Sequence, residues 1–514
     1  MTRVDAHRRV HGALGVLLSV GVAVALIAGV GPAQSAATGP ALTIGQGVDA
    51  ETLDPHGSLT QATLNITQQI NEPFLDWDYT KGEIKPVLAT SWKQLNATTW
   101  QFKIRENVKF TNGEPLTAQT VKFNIDRLLN PANKLNVAAL LNQLAGADVV
   151  DASTVNIRTT APFPLLPLAL TRLQLLPSEY FQKVGAQQFI DHPIGTGPYT
   201  FVSWVKDDRI ILQANPDYWG GRPQIGTVVY RAIPNDASRM AALESGGADL
   251  VTNVNLNDVA GLKQNPDVVV IAGPSLRLMG IYLDSRSTSP FADKRIRQAL
   301  NYAVDKKTIV SRLLLGYGKA LPGQVLSTEY LGFNPAVQAY PYDPARAKQL
   351  LQEAGYKGGQ LTLEVGRGRY PKGEELAQVV ANQLQQVGVN ATVQIVEWAP
   401  FIQQLMSRTL APLNVLAYST QPDAYFQLQL YMCQYRASLY CNAGFDALVQ
   451  KALATDNPDA RLKLYQTASA LLHDDPPIIY LYQMDNIWAV RKRVHGWHPR
   501  PDEGIQLLGV TAGQ

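Results

Sequence analysis

Near-continuous apolar runs recur through the second half of the chain and predict strands that are buried on both faces. Runs of this length are too short for most helices, and they suit a sheet that is covered by helices, as in α/β folds. The runs are VVVIAG (268–273), LTLEV (361–365), ATVQIVEW (391–398), LNVLAY (413–418) and PIIYLY (477–482).

Amphipathic segments with helix start signals separate these runs. In QTVKFNIDRLL, the residues Val121, Ile125 and Leu128 fall on one helical face. In YDPARAKQLLQEAGY, Asp343 can cap the start of a helix. A different pattern, TWQFKIRENVKF (99–110), alternates apolar and polar residues and predicts a half-exposed antiparallel strand pair. We therefore expect an α/β fold.

The first 37 residues have the pattern of a secretory signal peptide. MTRVDAHRRVHG supplies positive charges, a long uncharged apolar run follows, and PAQSAA provides small residues for cleavage near Ser35 to Ala37. Because the apolar run is long, an uncleaved membrane anchor is the alternative. The leader has no Cys for lipid attachment. These features predict a periplasmic or secreted protein.

Composition and charge add no positive evidence for a function, but they exclude some classes of binding partner. The chain of 514 residues is 46% hydrophobic and 17% charged, which is ordinary for globular domains and allows two or three folded units. Without the leader it has 42 basic and 41 acidic residues, a net charge of +1. That balance gives no general attraction to nucleic acid or to an anionic membrane.

The sequence contains two cysteines, Cys433 and Cys441. In an exported protein, a disulfide bond between them is the leading interpretation. A pair of free buried thiols is the alternative. A metal site is disfavoured because no His or third Cys stands near.

Motifs for catalysis are missing from the sequence. It lacks GxSxG, HExxH, CxxC and P-loop patterns, and no spacing of acidic residues marks a pair for acid–base chemistry. GTGPY (195–199) lacks the third glycine of a dinucleotide loop and predicts a turn. We therefore expect no enzyme activity, no cofactor and no metal, and a secreted hydrolase is the alternative.

Three longer stretches carry a family resemblance. Residues 86–128 contain PVLATSW, an alternating strand, an RxxVxF turn and a helix that begins Thr-Ala; residues 194–223 contain GTGPY and NPDYW; residues 445–482 precede VRKRVHGW. Together, and in this order, they resemble the family 5 extracellular solute-binding proteins. Members of that family serve ABC importers for oligopeptides, dipeptides, nickel chelates and related solutes. The similarity runs from about residue 42 to 510.

The resemblance implies a two-lobed periplasmic-binding-protein fold of type II, in its large class with an extra insert domain. A ligand would bind between the lobes, where closure removes it from water. The implied boundaries are residues 40–280 for lobe 1 with an insert at about 60–190, residues 281–480 for lobe 2, residues 481–514 for the return to lobe 1, and crossings near 279–285 and 478–483.

The same resemblance implies a function and partners. The protein would bind a di- or oligopeptide and deliver it to the permease subunits of an ABC importer in the membrane. A nickel chelate, an opine, a glutathione-like compound or an oligosaccharide is the alternative ligand within the class. We expect a monomer that does not bind nucleic acid.

A partner for a ligand carboxylate is implied in the loop VGRGRYPKG (365–373). In dipeptide-binding members a comparable loop carries an Arg, and Arg369 with the adjacent Tyr370 resembles it. An Arg fork can hold a carboxylate through two parallel hydrogen bonds. Arg367 is the alternative, and a solvated surface position is the competing interpretation of Arg369.

For the residue that binds a ligand amine, the sequence leaves two interpretations open. Members that bind free peptide amino termini often have an Asp just after the strand that corresponds to LNVLAY. Here that position falls on Tyr418 or Ser419, and the acidic residue is Asp423, four or five residues later. Asp423 is therefore either an amine anchor after a local shift or the cap of the following helix.

Aromatic walls and lobe 1 residues complete the expected site. Aromatic rings pack against ligand side chains or sugar faces, although core packing explains each of these residues equally well. The aromatic candidates are Trp398, Tyr418, Tyr425 and Phe426, and the candidates around VDAETLDPH and the helix-like segment after it are Leu53, Thr60 and Glu72. The cysteine pair resembles one in dipeptide-binding members and would fix the loop after the amine-anchor strand.

Overall fold

The computed structural model describes residues 39–286 and 288–513. The predicted signal peptide, residues 1–37, lies outside the described residues. Within the described ranges, no helix combines the length and apolar character that a membrane span requires.

The predicted helices are present, and their start signals act as expected. Asp343 caps one of them by accepting a hydrogen bond from the Arg346 backbone amide at 2.9 Å. The helices of the described residues are α1 (Gln61–Ile70), α2 (Ala118–Leu129), α3 (Leu166–Ala169), α4 (Ser178–Asp191), α5 (Asp236–Glu244), α6 (Val259–Leu262), α7 (Lys294–Ala303), α8 (Lys306–Thr308), α9 (Pro344–Glu353), α10 (Gly373–Gln386), α11 (Trp398–Ser407), α12 (Ala424–Leu428), α13 (Ala443–Leu453) and α14 (Pro458–Asp474).

The apolar runs form strands that lie between these helices. The strands of the described residues are β1 (Ala41–Gln46), β2 (Leu75–Asp78), β3 (Glu83–Pro86), β4 (Ala89–Asn96), β5 (Thr99–Ile104), β6 (Leu144–Asp151), β7 (Thr154–Thr159), β8 (Tyr199–Val205), β9 (Arg209–Ala214), β10 (Thr227–Ala232), β11 (Leu250–Val251), β12 (Val268–Leu283), β13 (Gly318–Ala320), β14 (Gln360–Gly366), β15 (Asn390–Val396), β16 (Leu413–Tyr418), β17 (Ile478–Arg491), β18 (Val494–His495) and β19 (Thr511–Ala512).

Within the described residues, 11 strands form one mixed sheet in the order β15–β14–β16–β12–β17–β11–β1–β10–β9–β8, with β13 beside β17. Strand β14 is parallel to β15 and β16, and β1 is parallel to β10 and β11. The long strands β12 and β17 are antiparallel to each other and link the two groups. The fold is therefore a mixed α/β fold.

Burial on both faces is correct for only some of the predicted strands. Strands β16 and the first half of β17 are buried along nearly their whole length. Strand β15 is half exposed because it forms an edge of the sheet, where one neighbour is missing. The start of β12 is also half exposed. The prediction of burial on both faces is therefore wrong for 391–398 and 268–273.

A separate sheet in the described residues has the order β4–β5–β7–β6. The alternating stretch 99–110 supplies one strand of it, β5, which pairs antiparallel with β4 and β7. The predicted strand pair within 99–110 is wrong, because residues after Ile104 turn toward α2 and do not pair back on β5. The predicted half-exposed face is present.

One large buried apolar cluster joins this smaller sheet to residues that come much later in the chain. It contains Phe74 and Phe102 from the first part and Tyr330, Tyr425 and Tyr480 from the second. The ring of Phe163 meets the ring of Tyr425 edge-on at 6.0 Å between centroids. The segment 60–190 thus packs directly against α12.

Candidate functional site

The pairing of β12 with β17 is irregular at one place. The register shifts between Pro274 and Leu278. The Ser275 hydroxyl donates to the Met484 carbonyl at 2.8 Å, and the Gln483 amide donates to the Ser275 carbonyl at 2.7 Å. Such irregularities redirect side chains and often occur beside functional sites. Here the irregular segment includes Arg277, which lies outside the regular pairing of β12 with β17.

Arg277 is held by a carboxylate from the C-terminal segment. Its Nε and Nη2 atoms donate to Oε1 of Glu503 at 3.2 and 2.9 Å, and the side chains are 16% and 21% exposed. Burial acts to lower the pKa of Arg277, but Glu503 outweighs it and the net shift is upward. The pair is therefore a charged pair at the edge of the protein interior.

Arg369 lies in the loop after β14, as the sequence predicted. Its guanidinium carbon is 5.1 Å from the centre of the Trp398 ring and 5.2 Å from the centre of the Tyr370 ring. Among the described residues its guanidinium has no hydrogen bond and no ion pair. These cation–π contacts fix the side chain and leave its hydrogen-bond donors free.

Arg369 lies close to other charged and aromatic groups, and its side chain is exposed. Partial desolvation by its neighbours lowers the pKa of Arg369, and the positive charge of Arg277 adds to the effect, whereas Tyr370 and Glu503 oppose it. Arg369, Arg277 and Glu503 therefore belong to one electrostatic cluster, which we call the charged cluster.

The other predicted residues of this loop have structural contacts. The Tyr370 hydroxyl accepts from the Ala417 backbone amide at 3.0 Å and lies 3.3 Å from the Ala417 carbonyl, so it ties the loop to β16. Arg367 donates through Nε to Glu397 at 2.6 Å, and both side chains are exposed. Because Arg367 already has a surface partner, Arg369 is the free arginine of the loop.

Two of the predicted aromatic residues, Trp398 and Tyr418, are half buried and contact other aromatic rings. Trp398 is half buried, stacks on Phe401 at 5.4 Å and carries Arg369 on its ring. Tyr418 ends β16, is half buried and meets Tyr282 edge-on at 5.6 Å. Ser419 follows it and is also half buried.

Asp423 has the contacts of a helix cap. Its Oδ1 atom accepts from the Tyr425 backbone amide at 3.0 Å at the start of α12, and the residue is 4% exposed. Burial raises the pKa of Asp423 to about 6, against the opposing effects of that hydrogen bond and of Arg461. These contacts favour the cap over the amine anchor. Tyr425 and Phe426, which follow it, are buried in the core.

The predicted lobe 1 residues are also bound within the protein. Leu53 is fully buried. Glu72 is buried and accepts from the Tyr218 hydroxyl at 2.5 Å and from the Trp219 indole at 2.7 Å, and burial raises its pKa. The exposed Thr60 lies at the start of α1, where its hydroxyl donates to Thr63 at 3.0 Å. The structure does not bring Glu72 or Thr60 into the charged cluster.

The predicted disulfide is present between Cys433 and Cys441. The backbone amide of Cys433 also lies 3.1 Å from Oδ2 of Asp446, at the start of α13. The bond therefore fixes the segment between α12 and α13. Among the described residues, no group of three or more His, Cys, Asp or Glu side chains could hold a metal ion.

A cavity of about 780 Å³ lies elsewhere, between α2 and α4. Beside it, Arg127 pairs with Asp54 and approaches Nδ1 of His56 at 2.8 Å, while His56 Nε2 donates to the Gln174 carbonyl at 2.8 Å. Burial lowers the pKa of His56 to about 4, so the imidazole is neutral and Nδ1 accepts. The cavity is lined by none of the predicted site residues.

Arg277 and Glu503 were not predicted from the sequence. They are 226 positions apart, and no local pattern marks either as one member of a pair. The available signal was the turn sequence PDEG at 501–504 near the end of the chain.

A model of the bacterial extracellular solute-binding proteins, family 5, matches residues 83–437. The chain belongs to this family. It is a solute-binding protein of the kind that serves ABC importers, and its relatives are binding receptors and not enzymes.

Curated relatives and solved structures agree with this assignment. The glutathione-binding protein GsiB of Escherichia coli is 26% identical over 508 residues, covering 96% of this chain and 97% of that one. Heme-binding protein A of Haemophilus influenzae is 29% identical over 480 residues, 87% of each chain. The structure of the oligopeptide-binding protein AppA from Bacillus subtilis, in complex with a nonapeptide, matches with a TM-score of 0.80 and 25% identity. That match covers 93% of this family 5 protein and 99% of AppA. The fold is the two-lobed fold of periplasmic binding proteins.

Proposed function

We propose that this family 5 protein binds a small peptide between its lobes and that Arg369 receives a carboxylate of the ligand. The observation that carries the proposal is the guanidinium of Arg369, which is held on two aromatic rings and has no hydrogen-bond partner among the described residues. A dipeptide-binding or oligopeptide-binding role fits the structural relative that was solved with a nonapeptide.

The charge of Arg369 favours an acidic partner from outside the protein. A guanidinium that has lost part of its water gains most from a charged acceptor, and its planar fork matches both oxygens of a carboxylate. Arg277 increases the positive potential at this point, because its charge acts on Arg369. Trp398 and Tyr418 would then provide apolar surface for ligand side chains.

Lobe closure would complete the site. The register shift at 274–278 interrupts the regular pairing of β12 with β17, so the two lobes would meet there and in β17. A ligand shifts the population toward the closed form only by its differential affinity for that form. We propose the lobe boundaries 40–280, 281–480 and 481–514 on this basis. The closed monomer would be recognised by the permease subunits after export and removal of residues 1–37.

Isothermal titration of purified protein against matched peptides tests the proposal. A dipeptide with a free carboxylate should bind, and the same dipeptide with an amidated carboxyl terminus should bind at least about tenfold more weakly. Mass spectrometry of the recovered ligand should show no chemical change. Equal affinity for the two peptides, binding only of a non-peptide solute, or turnover of the ligand would contradict the proposed function.

A further inference from the structure

The C-terminal segment 500–505 presents Glu503 from a fixed position. Arg500 donates to Asp502 at 2.9 and 2.8 Å and to Asp76 at 3.2 Å. On the other side of Glu503, the Ile505 backbone amide donates to the Asn65 side chain at 3.1 Å. The segment is therefore tied down before and after Glu503, as a binding residue requires.

The backbone at Glu503 is in the left-handed region, with φ of 65°. Such a conformation costs a non-glycine residue on the order of 1 kcal/mol, and Gly would adopt it freely. The turn alone would therefore favour Gly at this position. The presence of a glutamate indicates that its side chain has a use, and one such use is the contact with Arg277.

The contact with Arg277 uses one of the two carboxylate oxygens of Glu503 and leaves the other available. Both hydrogen bonds from Arg277 reach Oε1 of Glu503, and Oε2 has no hydrogen bond among the described residues. A carboxylate can accept about four hydrogen bonds, so Oε2 can receive a donor from a ligand. The two hydrogen bonds from Arg277 fix the orientation of the carboxylate.

The position of Glu503 suits a ligand that carries both charges. Leu278, beside Arg277, pairs with Tyr418 at the end of β16, and Tyr370, beside Arg369, is hydrogen-bonded to Ala417 of the same strand. Glu503, which is held by Arg277, therefore lies at the same end of β16 as the loop that carries Arg369. Asp423, the acidic residue suggested by the sequence, is buried and caps α12 by accepting from the Tyr425 amide. Glu72 accepts two hydrogen bonds from aromatic side chains.

We infer that Glu503 receives the ammonium group of a small peptide with a free amino terminus. This inference rests on the proposed function, because it requires the peptide carboxylate to be at Arg369. Arg277 acts as a positioning residue: it holds Glu503 and does not contact the amine. The ligand class is therefore zwitterionic peptides whose ammonium and carboxylate groups both reach the charged cluster.

The test is the ratio of dissociation constants for an N-acetylated and a free-amine dipeptide, measured by calorimetry on each variant. The wild type should prefer the free amine by at least about tenfold. In Glu503→Gln the ratio should fall close to one, because the amide offers no charge to the ammonium group. Glu397→Gln, which removes a carboxylate paired with Arg367 at the surface, is the matched control and should keep the wild-type ratio.

A second variant keeps the test valid if Glu503→Gln alone fails to fold. Glu503→Gln leaves Arg277 without its carboxylate partner, so Arg277→Met/Glu503→Gln removes both charges and should show the same reduced ratio. Retention of the wild-type ratio in either variant would overturn the inference, as would collapse of the ratio in Asp423→Asn. A wild type that distinguishes free from amidated carboxyl termini but not free from acetylated amines would overturn this inference alone. A wild type that binds no peptide would overturn the proposed function as well.

Discussion

Replacing Asp423 with Asn tests whether this carboxylate caps a helix or holds a ligand amine. Asn keeps the side-chain oxygen that accepts from the Tyr425 amide, so the cap at α12 is retained. The substitution removes the ability to carry a negative charge and replaces the second carboxylate oxygen, on the side of the Tyr465 hydroxyl, with an NH2 group. Because the residue is 4% exposed, the energetic consequence of that charge is large.

The magnitude follows from the pKa. Burial raises the pKa of Asp423 from 3.8 to about 6. The folded protein thus binds a proton more tightly than the unfolded chain, and stability falls as the pH rises from about 4 to about 6. A difference of about two pH units corresponds to about 3 kcal/mol in the free energy of unfolding. Asn cannot ionise, so the variant should lose this decrease.

Urea unfolding at about pH 4 and about pH 7 measures the effect. The difference in the free energy of unfolding between Asp423→Asn and wild type should shift in favour of the variant by about 2.4 kcal/mol between these pH values, because about 0.5 of the full effect of about 3 kcal/mol is already lost at about pH 4. Asp293→Asn is the matched control, since Asp293 caps α7 by accepting from the Arg295 amide at 2.8 Å. Hydrogen bonds from Arg295 lower the pKa of Asp293, so its stabilising effect is lost only below about pH 4 and its variant should show almost no relative shift between these pH values.

The refuting result is specific. If Asp423→Asn shows no relative gain in stability at neutral pH and loses affinity for free-amine peptides, Asp423 functions as a ligand anchor. The burial argument would then be wrong, and so would the assignment of the amine to Glu503.

Other substitutions test the rest of the site and the fold. Arg369→Ala should weaken a carboxylate ligand by about 2–5 kcal/mol in calorimetry, while Arg367→Ala should bind normally; equal effects would remove Arg369 from the site. Replacing both Cys433 and Cys441 with Ser should lower the free energy of unfolding by about 2.5 kcal/mol, since the bond closes a short loop, and no loss in urea unfolding would contradict this. Burial lowers the pKa of Lys306 from 10.5 to about 7, so wild-type stability should rise between about pH 7 and pH 10. Thermal unfolding of Lys306→Met should show no such rise, and an unchanged rise would refute the assignment to Lys306.

Local sequence patterns were sufficient for most of the fold. The apolar run 413–418 became β16, and the amphipathic face of Val121 became a buried face of α2. Such predictions succeed because strand and helix periodicities depend on near neighbours. The prediction of burial on both faces was wrong for 391–398, because the position of a strand within a sheet depends on distant segments.

The site residues were harder to predict from the sequence, because their roles depend on contacts with distant parts of the chain. Asp423 carries the same local signal whether it caps a helix or binds an amine, since both roles put an acid before a helix start. Its burial, which distinguishes the two, comes from segments far away in the chain. Arg277 and Glu503 are the extreme case, because each gains its role only through a partner 226 positions away.

The packing of Phe163 against Tyr425 has a consequence for ligand affinity. On the proposed lobe boundaries, this contact joins the insert to lobe 2, so it exists only while the lobes are together. Apolar surface buried there stabilises the closed form even without ligand, at roughly 25 cal/mol per Å². The ligand then has to supply less of the closure free energy, and the apparent affinity approaches the intrinsic one. Phe163→Ala should therefore weaken all ligands by the same factor, whereas changes at Arg369 or Glu503 should discriminate between ligands by their charged groups.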